Sequence, residues 1–268
     1  MRYAKGTFII SSESDIPLLL QVRNSRFVSH QQLFELLQYD AIVSCRSTFN
    51  WRIQRLIKTS HIERVENASW DGSQIYRIAG TGLLELESHG HFAIALHSRT
   101  RRMPDRVQVF HALELNDIRL ALARQALLVH WQSEVEISSR NMVSSSPLQK
   151  DYDAIVKLWA GSEVREFALE YERSLKSAKQ YAKIRAALEA ERQIPCVLYL
   201  TVNPDLLLAV LCQLAPISKP VAFATAEGFR RQLLATPVIT DARSALVTLE
   251  EFLQYANPLY MRHVGSSV

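Results

Sequence analysis

Apolar residues recur at helical spacing through the first ninety positions of the chain and predict three short helices. The first helix is expected to open at Asp15, with Pro17 in its first turn. The second helix is predicted to follow Ser29, and the third to run from a cap at Ser44 to Lys58. The apolar positions that share one face are Leu33, Leu36 and Leu37 in the second helix, and Phe49, Ile53, Leu56 and Ile57 in the third.

Two short β patterns follow the third helix, at residues 61–65 and 74–78. Between them lies the dipeptide Asp71-Gly72, which is a strong signal for the tight turn of a hairpin. A further helical pattern covers residues 81–87. The sequence therefore predicts three helices, a β-hairpin and a closing helix in this region.

The remainder of the chain alternates apolar strand patterns with amphipathic helix patterns. The predicted elements are a helix at 113–124, a strand at 128–137, a serine-rich loop at 138–150, strands at 152–159 and 164–172, a helix at 174–191, a strand at 196–202, a helix at 205–214, a strand at 220–224 and a helix at 227–234. Ala160-Gly161 is expected to form the turn between two of these strands. Three strands before a crossover helix predict a mixed sheet with helices on its faces, in the α+β or α/β class.

The length of 268 residues favours two domains, with one large domain as the alternative. We predict one domain over residues 1–90, a basic linker over 91–110 and a second domain over 111–268. The formal net charge is +4, and residues 1–110 hold 14 Lys and Arg against 10 Asp and Glu. Residues 111–268 hold 17 of each sign, so the whole excess lies where a phosphate-binding surface would need it.

Several classes of protein are disfavoured by the composition. No apolar run reaches the eighteen or so residues of a membrane helix, and the N-terminus lacks the pattern of a signal peptide. The three cysteines are widely spaced, as in a reduced cytoplasmic protein. No glycine-rich phosphate loop is present, which argues against a nucleotide cofactor. The expected location is the cytosol of a bacterium.

The third predicted helix is basic and contains no acidic residue. Together with the hairpin, residues 12–90 resemble the winged helix-turn-helix family, in which the third helix enters the major groove of DNA. By that resemblance Arg46, Ser47, Asn50 and Arg52 would face bases or phosphates, Arg55 and Lys58 would face the backbone, and the wing between Arg64 and Arg77 would reach an adjacent groove. The alternatives are a solvated basic face and a winged helix that contacts proteins. Trp51 at this spacing is expected in the core rather than stacked on a base.

An acidic pair marks one strand of the second domain. Glu170 and Glu172 are two residues apart and would point to the same face, with Leu169 and Tyr171 on the other. Together with Asp153 on a neighbouring strand they could hold a hard divalent cation, to which Glu134 on the preceding strand could add a ligand. In the alternative interpretation the two glutamates face solvent and pair with Arg173 and Lys176.

The order of elements resembles the PD-(D/E)XK, or restriction-endonuclease-like, superfamily. Asp153 matches its first acid and Glu170 its second, whereas Glu172 stands where the superfamily has lysine and Tyr152 where it often has proline. The resemblance implies that these acids hold Mg²⁺ or Mn²⁺ for hydrolysis of a phosphodiester. The missing lysine would then be replaced by a cation from the following helix, with Lys176 as the first candidate, followed by Lys179 and Lys183.

A narrower resemblance covers most of the chain. Residues 111–119, 131–136, 153–155 and 169–174, behind a winged helix, resemble the replication-relaxation proteins of plasmids and other mobile elements. The resemblance implies a role in the replication, mobilisation or regulation of such an element.

Three functions follow as alternatives. The first is a DNA-binding protein of a mobile element whose second domain is a metal-dependent endonuclease or nickase. The second is a non-catalytic regulator of transcription or replication, whose degenerate nuclease-like domain dimerises or recruits a partner. The third is a toxin or defence effector that cleaves nucleic acid when triggered. Double-stranded DNA is the expected partner, and a homodimer agrees with it because palindromic sites are commonly read by dimers.

Overall fold

The computed structural model describes residues 9–97, 105–240 and 246–256. The chain is an α+β protein that divides into two compact units, Met1–Leu113 and Glu114–Val268. The boundary falls inside one continuous helix, Arg106–Arg124. Part of the linker that we predicted over 91–110, residues 98–104, lies outside the described residues.

The first unit contains the elements that the apolar pattern predicts, together with two short ones that it misses. In chain order they are α1 (Asp15–Ser25), β1 (Val28–Ser29), α2 (His30–Tyr39), α3 (Arg46–Lys58), β2 (Ile62–Trp70), β3 (Ser73–Ile78), α4 (Gly80–Ser88), α5 (Ile94–His97) and α6 (Arg106–Arg124), which continues into the second unit. The predicted order of three helices, a hairpin and a closing helix is confirmed. The additions are β1, α5 and the first turns of α6, which begins at Arg106 rather than at the predicted residue 113, so residues 94–97 and 106–110 of the predicted linker are helical.

The hairpin of β2 and β3 turns at Asp71 and Gly72, as predicted. Both residues have positive φ, 48° and 73°, which a type I′ turn requires and which Gly and Asp tolerate better than most residues. On its other side β3 pairs antiparallel with β1, so the sheet order is β1-β3-β2. The short β1 therefore ties the start of α2 to the hairpin.

Helix starts in the first unit follow local hydrogen bonding. The Ser29 hydroxyl accepts from the Gln32 backbone N–H at 3.1 Å, and the Gln32 side-chain Oε1 accepts from the Ser29 N–H at 3.2 Å, so the predicted cap of α2 is confirmed as a capping box. Helix α3 begins one residue later than predicted, with Cys45 rather than Ser44 at its N-cap. Its apolar side, represented by Phe49 and Ile53, is fully buried.

The second unit is built on a five-stranded sheet. Its elements are β4 (Leu128–Ser133), α7 (Glu134–Val143), β5 (Ala154–Ala160), β6 (Glu163–Glu172), α8 (Ala178–Ala190), β7 (Val197–Thr201), α9 (Pro204–Leu214), β8 (Val221–Thr225), α10 (Ala226–Gln232), a 3₁₀ turn (Leu233–Ala235), β9 (Pro237–Val238), β10 (Val247–Thr248) and α11 (Leu249–Tyr255). The strand order is β4-β5-β6-β7-β8. The pairs β4–β5 and β5–β6 are antiparallel, while β6–β7 and β7–β8 are parallel, which confirms the predicted mixed sheet.

Each face of this sheet is covered by a separate apolar core. One core joins Phe167, Leu169 and Tyr171 of β6 to residues of α6, α10 and α11. The other joins Ala168 of β6 to residues of α7, α8 and α9. Because side chains alternate along a strand, Glu170 and Glu172 point toward the second core.

Three predicted boundaries in this unit are wrong. The strand predicted over 128–137 ends at Ser133, because the Glu136 carboxylate accepts hydrogen bonds from the Ser133 N–H at 2.9 Å and from its hydroxyl at 2.7 Å and so starts α7. Residues 138–143 are consequently helical rather than loop. The helix predicted from 174 begins only at 178, because Ser177 caps it. Among the described helices, none combines the length and the apolar character needed to cross a bilayer.

Candidate functional site

One candidate site is the solvent-facing side of α3. We call it the α3 outer face, and it consists of the exposed residues Arg46, Ser47, Asn50, Trp51, Gln54 and Lys58. The opposite side of the helix is buried in the core of the first unit. The face carries two cations, two amides and a hydroxyl, and α3 contains no acidic residue. Such a surface can meet phosphates and the polar edges of bases.

Arg52 and Arg55 lie beside this face and are directed to a buried carboxylate. Asp15, at the first position of α1, is fully buried and contacts the Arg55 guanidinium, while Arg52 Nε lies 3.7 Å from Asp15 Oδ1. The carboxylate also accepts from the Ser11 N–H at 2.9 Å. These contacts fasten α3 to α1, and the assignment of Arg52 and Arg55 to DNA stays a prediction.

Two residues of the outer face were not singled out from the sequence as DNA contacts. Trp51 has 61% of its surface exposed, so our expectation of a core residue is wrong, and the Arg55 guanidinium lies 4.7 Å from its ring centroid. Gln54 accepts a hydrogen bond from exposed Arg64 of β2 at 3.3 Å. At 100° per residue, Trp51 and Gln54 lie on the same side of the third helix as Ser47 and Lys58. This helical spacing would have assigned both residues to the exposed face from the sequence.

The predicted wing carries charges of both signs. Arg77 of β3 is half-buried and donates to Glu63 of β2 at 2.8 Å, so its charge is balanced within the hairpin. Glu66 and Asp71 are exposed nearer the turn. Within the described part of the hairpin, Arg64 is therefore the cation that is hydrogen-bonded to the α3 outer face.

The second candidate site is a set of acids and lysines in the second unit, Asp153, Glu170, Glu172, Lys150 and Lys176, which we call the acid–lysine cluster. The β5–β6 register pairs Ala154 with Leu169, so Asp153, one residue before β5, stands opposite Glu170. The Asp153 carboxylate accepts from the Tyr171 N–H at 2.7 Å, which extends the ladder through a side chain. The structure thus brings together the two acids that the sequence paired.

Both glutamates of the cluster are buried. Glu170 and Glu172 expose only 5% of their surface, so they share a face as predicted, and the solvent-facing alternative is wrong. Lys150 contacts Glu170, and Lys176 Nζ lies 2.5 Å from Glu172. The contact with Lys150 was missed because its segment, before β5, has no strand periodicity.

Two neighbouring cations differ from their predicted positions. Arg173 pairs with Glu114 of α6 at 3.2 Å, on the other face of the sheet from Glu172. Lys176 lies in the loop before α8 rather than on the helix. It therefore reaches Glu172 from the end of β6.

The electrostatics of the cluster centre on Glu170. Burial raises the pKa of the Glu170 carboxyl to about 7; the Lys150 charge opposes this rise, while the nearby Asp153 charge adds to it. A carboxyl with a pKa near neutrality can exchange a proton at physiological pH.

A tyrosine hydroxyl lies beside the acids without a hydrogen-bond partner. Tyr199 of β7 is fully buried and stands opposite Glu170 in the parallel register. Among the described residues nothing accepts from or donates to its hydroxyl. Burial, followed by the charges of Glu170, Glu172 and Asp153, raises the Tyr199 pKa well above its ordinary value, so the phenol stays protonated. A buried orphan hydroxyl beside carboxylates suits a site that gains a polar ligand.

Asp153 and Glu170 are the side chains best placed to hold a metal. Glu134 belongs to α7 rather than to a strand, which corrects the sequence-based placement. In residues 9–97, 105–240 and 246–256, no three His, Cys, Asp or Glu side chains group in a way that could hold a metal ion. Mg²⁺ commonly takes one or two carboxylates plus water and substrate oxygens, so Asp153 and Glu170 would be the residues to hold such an ion.

Comparison of the chain with protein-family models, curated proteins and solved structures finds no match in any of the three. The two sites are therefore characterised by their own geometry. One is an exposed, acid-free helix face with cations and amides. The other is a buried pair of acids with lysines at its margin.

Proposed function

We propose that the first unit binds double-stranded DNA through the α3 outer face. The observation that carries this proposal is a 13-residue helix without acids, whose buried apolar side leaves Arg46, Asn50 and Lys58 in solvent. Cations on such a face gain affinity by releasing counterions from phosphates. Amide side chains on the same face can reach base edges in the major groove.

The surrounding elements support this mode of binding. A strand before α2 that pairs with the hairpin, and a third helix that is open to solvent, resemble a winged helix-turn-helix. In that arrangement the third helix lies in the major groove and the hairpin contacts an adjacent segment. Arg64 of β2 would then contact the backbone next to α3, with Ser47 contributing a hydroxyl to a phosphate.

The proposal is tested by fluorescence anisotropy of the full chain on a labelled duplex across salt concentrations. The variant combines Arg46→Ala with Lys58→Ala, because both residues are exposed and, among the described residues, neither makes an ion pair with an acid. We expect its log–log salt slope to be about 2 units shallower, since each lost phosphate contact removes about one. Arg231→Ala in α10 is the matched control, because that exposed arginine lies in the other unit.

Loss of affinity in the double variant with an unchanged control supports the proposal. Equal affinity of the wild type and the double variant, or no salt-sensitive duplex binding at all, would overturn it. In the second case the basic face is an ordinary solvated surface or a protein-binding one.

A second candidate function is metal-dependent hydrolysis of a phosphodiester at the acid–lysine cluster. It is favoured by the Asp153–Glu170 pair beside the orphan Tyr199 hydroxyl. Mg²⁺ or Mn²⁺, held by these two carboxylates, would supply an activated water and neutralise charge on the phosphate. The partly exposed Lys176 would stabilise negative charge on the phosphate oxygens.

Nicking of supercoiled plasmid with Mg²⁺ or Mn²⁺ tests this second function. Asp153→Asn keeps an oxygen that can accept from the Tyr171 N–H, and Glu170→Gln keeps the side-chain shape, so both remove charge with little change in packing. Metal-dependent nicking that both changes abolish, and that Glu163→Gln on the exposed part of β6 retains, would support catalysis. DNA binding without nicking would favour the regulator, whose second unit dimerises or binds a partner.

The biological setting that we propose rests on sequence resemblance alone. A DNA-directed protein of a plasmid or another mobile element, acting in the bacterial cytoplasm, agrees with the basic first unit. A homodimer would match a palindromic site. Sedimentation of the free protein and of its complex with a selected duplex tests that state.

A further inference from the structure

A chain of three polar side chains connects the core of the first unit to the α3 outer face. His30, the first residue of α2, has its Nδ1 3.0 Å from the Tyr76 hydroxyl of β3 and its Nε2 3.0 Å from Asn50 Oδ1. The His30 ring also packs on Phe49, with 4.8 Å between centroids. Asn50 is exposed, whereas His30 is half-buried and Tyr76 is buried. The exposed amide is thus held from behind.

The chemistry of the three side chains determines which atom donates in each of these two hydrogen bonds. Because an amide oxygen only accepts, the hydrogen between His30 and Asn50 belongs to His30 Nε2. In the neutral ring Nδ1 is then an acceptor and receives the Tyr76 O–H. Burial, together with the nearby Arg46 charge, lowers the His30 pKa against the opposing effect of the Asn50 hydrogen bond. The neutral Nε2–H tautomer is therefore the favoured one.

This hydrogen bond determines which part of Asn50 faces a ligand. An asparagine that reads adenine uses its oxygen and its nitrogen together, accepting from N6 and donating to N7. Asn50 Oδ1 is turned to His30, so the amide presents Nδ2 and its two hydrogens outward. Guanine is the base whose major-groove edge offers two acceptors, O6 and N7, and no donor, whereas thymine offers one acceptor, O4, beside its methyl group.

We propose that Asn50 reads guanine as a donor and that His30 is the positioning residue that sets this preference. The inference rests on the proposed binding of DNA by α3, and adds to it the identity of one base. Tyr76 supports His30 from the hairpin, so the preference depends on three elements, α2, α3 and β3.

The test begins with selection of duplexes from a random pool by the full-length wild type. Anisotropy then measures affinity for duplexes that carry each base in turn at every position of the selected site. Asn50→Ala identifies the position that depends on Asn50. We expect the wild type to prefer guanine there by about 5- to 150-fold, as a single good base contact allows. Replacing that guanine by 7-deazaguanine should reduce wild-type affinity toward that of Asn50→Ala.

Three variants of the supporting residues separate positioning from packing. His30→Phe keeps a ring against Phe49 but cannot donate, so the guanine preference should disappear or change to adenine. His30→Gln offers a donor to Asn50 Oδ1 and should retain the preference. Tyr76→Phe removes one hydrogen bond from Nδ1 and should weaken the preference less than His30→Phe does. Unchanged affinity for non-specific duplex at low salt shows that each variant is folded.

Two results would overturn the inference while DNA binding stands. One is a wild-type preference for another base at the Asn50-dependent position: adenine or cytosine would mean that the amide presents its oxygen, and thymine would mean that it reads a single acceptor. The other is a guanine preference that survives His30→Phe. If the wild type shows no salt-sensitive binding to duplexes, the proposed function fails as well, so the two failures are distinguished.

Discussion

The α3 outer face and the acid–lysine cluster place ionisable groups in opposite surroundings. On the outer face, Arg46 and Lys58 are exposed on a helix that has no acids, and the contacts of Arg46 with Gln31 and the Phe34 ring leave its charge uncompensated. In the cluster, Glu170 and Glu172 expose 5% of their surface and each contacts a lysine. The first arrangement leaves charge available to a partner, whereas the second compensates charge within the fold.

Because the cations of one site are exposed and the carboxylates of the other are buried, the two sites suit different ligands. A hydrated cation keeps most of its charge available to a phosphate, and its contribution falls as salt rises. A buried carboxylate is costly to ionise without a counter-charge, so it holds either a proton, a lysine or a metal. For Glu172 the counter-charge is Lys176, which contacts it from the loop after β6.

The largest effect is expected from the buried side of α3. Phe49→Ala should lower the free energy of unfolding of the first unit by about 3–5 kcal/mol, because it removes a fully buried ring and leaves a cavity in the core. Trp51→Ala should change it by less than about 1 kcal/mol, because the ring is mostly exposed and carries only one cation–π contact. Urea unfolding followed by circular dichroism measures both, and similar losses in the two variants would contradict this division of the helix.

Asp15 is a buried acid of the first unit that pairs with α3, so the effect of burial on an ion pair can be measured within that unit. Asp15→Ala should destabilise the unit by about 3 kcal/mol, because it leaves Arg52 and Arg55 without their carboxylate and Ser11 without its acceptor. The matched control is Glu63→Ala, which removes a half-exposed pair with Arg77 and should cost less than about 1 kcal/mol. Urea midpoints compare the two, and equal shifts would show that burial does not distinguish them.

The cluster should make the second unit less stable as the pH rises. Glu170 has a pKa of about 7 in the folded chain against an ordinary value of 4.5, so folding favours its protonated form. That contribution is complete below pH 4.5 and is lost as the pH rises through about 7, by up to about 3 kcal/mol. Glu170→Gln, which cannot titrate, should remove this part of the pH dependence.

The measurement uses urea unfolding between pH 5 and pH 8 in a Trp51→Phe, Trp70→Phe background. Trp131 and Trp159 then report the second unit alone. A wild-type profile that matches that of Glu170→Gln would show that the Glu170 carboxyl is already ionised at pH 5 in the folded state.

The smallest effect concerns Cys45 at the start of α3. This thiol is exposed, and hydrogen bonds with Ser47 and Thr48, which lie 3.4 and 3.0 Å away, lower its pKa from 9.0 to about 7. Alkylation by iodoacetamide, followed by mass spectrometry of the Cys45 peptide, should therefore reach half of its maximal rate near pH 7. In Thr48→Ala the midpoint should move toward 9.0, and an unmoved midpoint would exclude these hydrogen bonds as the cause.

The sequence predicted the pairing of Asp153 with Glu170 because it depends on local rules. A turn at Gly161 places residues of β5 opposite residues of β6 at nearly equal distances from the turn, and period-two alternation places Glu172 on the same face as Glu170. The sequence also contains a signal for the end of β4, because Ser133 is followed three residues later by Glu136, which is the pattern of a capping box. The apolar residues of 128–137 outweighed that signal.

The sequence alone therefore determined most of the helices and strands, the basic character of α3 and the acids that share one strand face. These depend on side-chain periodicity and turn chemistry, which act over a few residues. Tertiary structure alone decided that Asp15 receives Arg52 and Arg55, that Lys150 compensates Glu170 and that His30 orients Asn50. Each of these contacts joins residues 20 to 40 positions apart, so it exists only where packing brings two surfaces together and burial makes an unpaired charge or amide costly.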